Sequence, residues 1–203
     1  MSAQAKIEFI SEQEYYDGEE ISPVKHEYFN GRVFAMAGGG YNHTTICGNV
    51  FAAAKNALRG RHCKARSGEQ RVKVEASGLN TYPDAVIFCP PARFEGSNSH
   101  TLLTPKVIFE VLSDSTERYD RGDKFRAYAQ IATLTDYVLI DQNRVTVEHF
   151  RRTPQGWLLN SYIRRADVLR LEDIEIELPF DLIYEELELP EISLAMPSVV
   201  EEE

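Results

Sequence analysis

Apolar and polar positions change their period several times along the chain, and each change marks an element. Ser11-Glu12-Gln13-Glu14 has the form of a capping box, so a short helix is predicted from Ser11. The runs 26–29 and 32–36 are short and β-prone, and Asn30-Gly31 lies between them. A type I′ turn needs positive φ at both central residues, so this pair predicts a hairpin. Gly38-Gly39-Gly40 breaks the chain, and Ile46, Val50, Ala53, Ala54, Ala57 and Leu58 then recur at helical spacing over 42–59, with Gly60 as the stop. Residues 62–74 read as a strand, a turn near Gly68 and a second strand, and 77–80 read as a turn.

Two apolar runs, 82–89 and 106–112, have the character of central strands, with a polar loop over 90–104 between them. Asp120 is placed to cap a helix that reaches about Ile131, with Phe125, Tyr128 and Ala129 facing inward. A hairpin around Gln142-Asn143, a strand over 157–162 and an edge strand in which Ile174, Ile176 and Leu178 alternate with acids complete the pattern. The layout is α/β, a mixed β-sheet flanked by helices, with a long helix before it and another crossing after its central strands. Residues 1–190 are expected to form a single domain and 191–203 an acidic, flexible tail.

Composition adds bounds. Hydrophobic residues make up 43% and charged residues 27%, as in ordinary globular proteins. No apolar run approaches the ~18 residues of a membrane span. The N-terminus lacks an apolar signal core, so the cytoplasm is expected. The three cysteines, Cys47, Cys63 and Cys89, are odd in number and widely spaced, which does not suggest a disulfide framework. Cys47 and Cys89 read as small buried hydrophobes. The net charge of -10 opposes a nonspecific grip on nucleic acid, so any such surface must be a local basic patch.

Candidate chemistry rests on Asp84 and Glu110, each of which interrupts an apolar strand. A carboxylate in a central strand is costly unless it is paired, hydrogen-bonded or bound to a cation, and two in neighbouring strands suggest a shared one. His43 and Cys47 stand four apart and could serve zinc, but paired Cys-x-x-Cys spacing is absent. Gly38-Gly39-Gly40 lacks the Lys-Ser/Thr ending of a P-loop, and no Gly-x-Ser-x-Gly elbow occurs.

Pro83-Asp84, followed by Glu110-Val111-Leu112 and then Ser113, Ser115-Thr116, Asp120-Arg121, Lys124 and Tyr128, resembles the PD-(D/E)XK nuclease signature. With the 26–33 hairpin and His43, the set looks like a large bacterial family of endonucleases in that superfamily, over about residues 10–185. The resemblance implies a restriction-endonuclease-like core, magnesium (with manganese possible) as cofactor and DNA as substrate. It implies Asp84 and Glu110 as metal carboxylates, the Val111 carbonyl as a further ligand, and Glu27 as an additional acid. Many enzymes with this core are dimers, so a homodimer is possible.

The third motif position holds Leu112 instead of lysine. Lys124, from the following helix, is the expected substitute, and Lys73 is a second candidate. Lys73, Arg71 and His43 are expected to meet the nucleic acid. Lys55, Arg59, Arg61, Lys64, Arg66 and Arg71, the densest basic stretch, are expected to border the cleft. Lys124→Ala is expected to abolish cleavage with folding and magnesium binding nearly intact.

Alternatives stay open at each position. Asp84 could be a turn residue after Pro83, Lys124 a solvated helix residue beside Asp120 or Asp123, Glu27 a solvent-facing hairpin residue, and His43 a structural group. A nucleic-acid- or protein-binding module without catalysis, or a hydrolase of another phosphoester, also remains open.

Overall fold

The computed structural model describes residues 9–96 and 100–192. Helix α1 (Glu12–Ile21) opens with the Ser11–Glu14 capping box. Strands β1 (His26–Phe29) and β2 (Arg32–Ala35) follow, and Asn30 and Gly31 take φ of 48° and 76°, as the type I′ turn demands. Helix α2 (Tyr41–Ala57) leads to β3 (Lys64–Ser67), β4 (Arg71–Val74), β5 (Leu79–Thr81) and β6 (Ala85–Phe88). Short strands β7 (Phe94–Glu95) and β8 (Thr101–Leu102) precede β9 (Val107–Leu112). A helical segment then runs from α3 (Glu117–Tyr119) through a π turn at Asp120–Lys124 into α4 (Phe125–Tyr128). Strands β10 (Asp136–Asp141), β11 (Val147–Thr153), β12 (Gly156–Tyr162), β13 (Val168–Leu171) and β14 (Ile176–Pro179) and helix α5 (Phe180–Ile183) complete the order.

The strands build two mixed sheets, one ordered β2-β1-β5-β4-β8-β7 and the other β12-β11-β10-β9-β6-β3, beside a β13-β14 ribbon. Strands β9 and β10 run parallel at the heart of the second sheet, and all twelve of their residues are buried. Two-sided burial explains their near-continuous apolar runs. One face carries Val107, Phe109, Val111, Ala85 and Ile87, and it packs on α2, α5 and the ribbon. The other carries Ile108, Leu112, Val86 and Phe88, and it packs on Ala127 and Tyr128 and on Val72, Leu79 and Leu102 of the first sheet.

Four expectations need correction. The segment over 90–104 is not only loop, because β8 pairs parallel with β4 and antiparallel with β7. Asp120 does not cap a helix: the segment begins at Glu117, and Asp120 sits buried in the π turn. Ile174 belongs to a 3-10 turn ahead of β14. Cys63 and Cys89 form a disulfide, and Cys47 is the free thiol. The β3–β6 register pairs Lys64 with Phe88, so the next residues outward are those two cysteines. No helix among the described residues is long and apolar enough to cross a membrane. Most of the predicted tail, 193–203, lies outside the described residues.

Candidate active site

A cleft of about 380 Å³ opens where the two sheets, the start of α2 and the π turn meet. Antiparallel pairing of β6 with β9 sets Ala85 opposite Phe109, so the same register brings Asp84 beside Glu110. Asp84 Oδ2 accepts the Val111 N–H at 2.7 Å, which pins the carboxylate at the strand end. Glu110 is only 4% exposed, and the Tyr128 hydroxyl donates to its Oε1 at 2.8 Å.

Lys124 is 5% exposed. Its ammonium lies 2.9 Å from Glu110 Oε1, 3.2 Å from Glu27 Oε1 and 3.3 Å from Asp120 Oδ1. The π turn lets Asp120 and Lys124 both point inward, as such turns often do at functional sites. Glu27 arrives from the first sheet on β1 and accepts a hydrogen bond from the Thr81 hydroxyl. Lys124 is thus a buried counter-ion, and Glu27 does not face solvent. His43 Nε2 is 3.6 Å from Asp84 Oδ2, and its Nδ1 is 3.4 Å from Cys47 Sγ.

Charge in this cluster is unbalanced. Glu27, Asp84, Glu110 and Asp120 line the cleft, and Lys124 is the lysine or arginine among the described lining residues. Burial pushes the Glu110 carboxyl well above the ordinary carboxylate range; Lys124 pulls it down, while Asp120 and Asp84 push it further up. Burial likewise raises Asp120, against the pull of Lys124. Burial opposes the charge on Lys124, but Glu110, Tyr128, Glu27 and Asp120 outweigh it and hold its pKa well above the usual lysine value. Asp120 Oδ1 is buried, and the Lys124 ammonium at 3.3 Å, shared with Glu110 and Glu27, is its charged partner. An all-oxygen donor set short of positive charge suits a hard divalent cation.

The basic stretch does not form the rim expected of it. None of Lys55, Arg59, Arg61, Lys64, Arg66 and Arg71 is among the described lining residues of the cleft. Arg71 is 8% exposed, stacks 4.5 Å from the Tyr16 ring and donates to Thr101. It lines a neighbouring pocket with Lys25 and Tyr82. The Lys73 ammonium is held by Glu12 at 2.7 Å and Glu95 at 2.6 Å. Asp120 is the site acid that sequence reading assigned to a cap. Its signal was the four-residue step shared by Asp120, Lys124 and Tyr128.

Similarity to known proteins concerns the family and the fold. The family model Uma2, described as "Putative restriction endonuclease", matches residues 12–194. The uncharacterized protein slr1290 of Synechocystis sp. is 34% identical over 184 residues, spanning 90% of this chain and 95% of the relative. A second Synechocystis sp. protein, sll1609, also described as uncharacterized, is 28% identical over 181 residues, 89% of this chain and 98% of its own. Among solved structures, a crystal structure titled as a putative nuclease belonging to DUF820 from Anabaena variabilis matches with a TM-score of 0.65 and 17% identity, covering 80% of this chain and 90% of that one. That last likeness is one of fold.

Proposed function

Since the chain belongs to the Uma2 family of restriction-endonuclease-like proteins, we propose that it is a metal-dependent endonuclease hydrolysing DNA phosphodiester bonds. The observation that carries this reading is the buried Glu110 carboxylate, set beside Asp84 and 2.9 Å from an equally buried lysine. Asp84, Glu110 and the Val111 main-chain carbonyl are the groups that would hold magnesium, or manganese in its place. Bound by these groups, the cation would supply an activated water and neutralise charge on the scissile phosphate.

The chain's own residues do the rest. Val111 N–H and Tyr128 O–H fix the two carboxylates in place. Lys124 keeps the cluster compact and offers an ammonium to charge developing on the phosphate. Glu27 and Asp120 hold that ammonium at 3.2 and 3.3 Å, so it does not swing free. Lys124 thereby fills the role that Leu112 leaves vacant in the motif. The proposed compartment is the cytoplasm, where a DNA substrate would be met.

Supercoiled plasmid tests the reading. Nicking or linearisation is expected with magnesium or manganese and not with EDTA, and Asp84→Asn should lower it at least ~100-fold, the upper range for disturbing a metal's outer partners. A plasmid left intact while a small phosphodiester is hydrolysed would move the protein to another phosphoesterase class. The cleft favours that second reading in one respect: Lys124 is the lysine or arginine among its described lining residues, so further phosphate contacts along a duplex must come from elsewhere. If neither substrate is cut, the chain is a binding module.

Tyr128→Phe has a subtler expected effect. A hydrogen bond to the ionised carboxylate lowers its pKa, so removing it raises the Glu110 pKa still further. Cleavage that needs the carboxylate should then start at a higher pH, with about 1.5–3 kcal/mol of stability lost. A pH–rate profile whose acid limb does not move would remove Tyr128 from the site.

A further inference from the structure

The chemistry proposed above uses the oxygens of the cleft and the Lys124 ammonium, and it leaves His43 and Cys47 without a task. These two stand one turn apart on the same face of α2. The imidazole reaches both the thiol and the Asp84 carboxylate: its Nδ1 is 3.4 Å from Cys47 Sγ and its Nε2 is 3.6 Å from Asp84 Oδ2. One ligand atom from each of the three residues lies within 4.8 Å of the others.

The surroundings hold this arrangement. A Cβ on Gly39 would lie 2.4 Å from His43 Nδ1 and 2.8 Å from Cγ. The main chain at Gly39 therefore packs directly on the ring, which gives that one glycine of the Gly38-Gly39-Gly40 break a purpose, since a Cβ at Gly38 or Gly40 would meet nothing within 4 Å. Cys63 and Cys89 are bonded to each other, so Cys47 is the thiol free to ligate.

Nitrogen, sulfur and oxygen donors at this spacing form a different set from the hard oxygens around Glu110. Magnesium has no use for a thiolate, whereas zinc and its neighbours take histidine, cysteine and carboxylate together. Three protein ligands leave a fourth tetrahedral position for water or a phosphate oxygen. We propose that His43, Cys47 and Asp84 form a second cation site, for a transition metal of the zinc class, that shares Asp84 with the Glu110 centre. One ring nitrogen would ligate, with the Cys47 sulfur and one Asp84 carboxylate oxygen closing on the same ion. The site stands whether or not the chain cuts DNA. Where the nuclease reading holds as well, zinc takes Asp84 away from the Glu110 centre and slows cleavage.

Cobalt(II) titration of the EDTA-treated full-length protein tests this, with cobalt as a spectroscopic stand-in for zinc. One equivalent is expected to give the strong visible bands of a four-coordinate ion and a thiolate-to-cobalt charge-transfer band in the near ultraviolet. Cys47→Ser should abolish the charge-transfer band, and the Cys63→Ser/Cys89→Ser double variant should keep it. His43→Ala and Asp84→Asn should weaken cobalt binding at least about tenfold, the least that even an outer-partner mutation costs. Gly39→Ala, which displaces the ring without removing a donor, should also weaken it and stands in if His43→Ala does not fold. Glu110→Gln should leave the band in place. A missing band, a band that survives Cys47→Ser, or a band lost in Glu110→Gln overturns the separate site. An intact band in a protein that cuts no DNA overturns the nuclease reading alone.

Discussion

Replacing Lys124 by methionine is expected to remove cleavage and much of the stability together. The ammonium lies within 3.3 Å of carboxylate oxygens from Glu27, Glu110 and Asp120, and the side chain is almost wholly enclosed. Methionine keeps the approximate length and apolar stem, so the loss isolates the charge. Removing one partner of a buried ion pair typically costs about 3–5 kcal/mol, because the other charge stays buried and unpaired. Here three acids would be left facing one another. The rate should fall by roughly 10²–10³-fold if the ammonium meets charge developing on the phosphate.

Burial therefore overturns the expectation that Lys124→Ala leaves folding nearly intact. Urea unfolding with and without magnesium checks the point. Magnesium should restore more stability to the variant than to the parent, because a divalent cation replaces the missing charge and binds only the folded state. Lys124→Arg should keep the charge but little of the activity, and should be less stable than the parent, since a planar fork does not fit a buried socket built for a compact ammonium. Lys73→Ala should cut near the parent rate, because Glu12 and Glu95 engage that side chain. If Lys124→Met unfolds at the parent midpoint in both conditions, the ammonium is not the counter-ion described here. If it also cuts at the parent rate, the catalytic role falls.

The centre of this site was legible in the sequence because burial writes itself into composition. A lone acid inside Val107–Leu112 is conspicuous, since apolar neighbours on both sides show that water is absent. The Asn30-Gly31 hairpin and the period of α2 were legible for local reasons, turn chemistry and helical spacing. What was not legible depended on register and direction. Two-residue strands such as β7 and β8 carry no period at all. The Cys63–Cys89 bond follows only once β3 is known to lie on β6. The basic stretch is dense along the chain, but strand alternation sends Arg71 into tyrosines and leaves Arg66 over the Phe88 ring. Asp120 looked like a cap because aspartate usually starts helices, and only the π turn reveals it as a buried acid. The four-residue step from His43 to Cys47 was visible, but its third partner, Asp84, comes from a different element.

Glu110→Gln is expected to abolish cleavage while making the metal-free protein more stable near neutral pH. Burial raises the folded-state pKa of Glu110 well above the ordinary 4.5, and neighbouring acids add to the rise. A group raised in this way contributes stability that is fully present below its unfolded pKa. That stability is lost as the pH climbs through the folded pKa, because the unfolded chain gives up the proton first. Each unit of the rise is worth about 1.4 kcal/mol. Glutamine cannot ionise, so the variant avoids this loss. It keeps the shape of the side chain and an acceptor oxygen for Tyr128, and Lys124 retains Glu27 at 3.2 Å and Asp120 at 3.3 Å. Parent and variant should therefore melt alike in acid and diverge as the pH rises towards neutrality, with the variant higher. Magnesium should close the gap by stabilising the parent alone. Cleavage by the variant should drop at least ~100-fold, as for Asp84→Asn. A variant that melts below the parent at neutral pH would mean that Lys124 already neutralises Glu110 in full, leaving no unbalanced charge to attract a cation. A stable variant that still cuts DNA would mean that the scissile phosphate is handled somewhere other than this cleft.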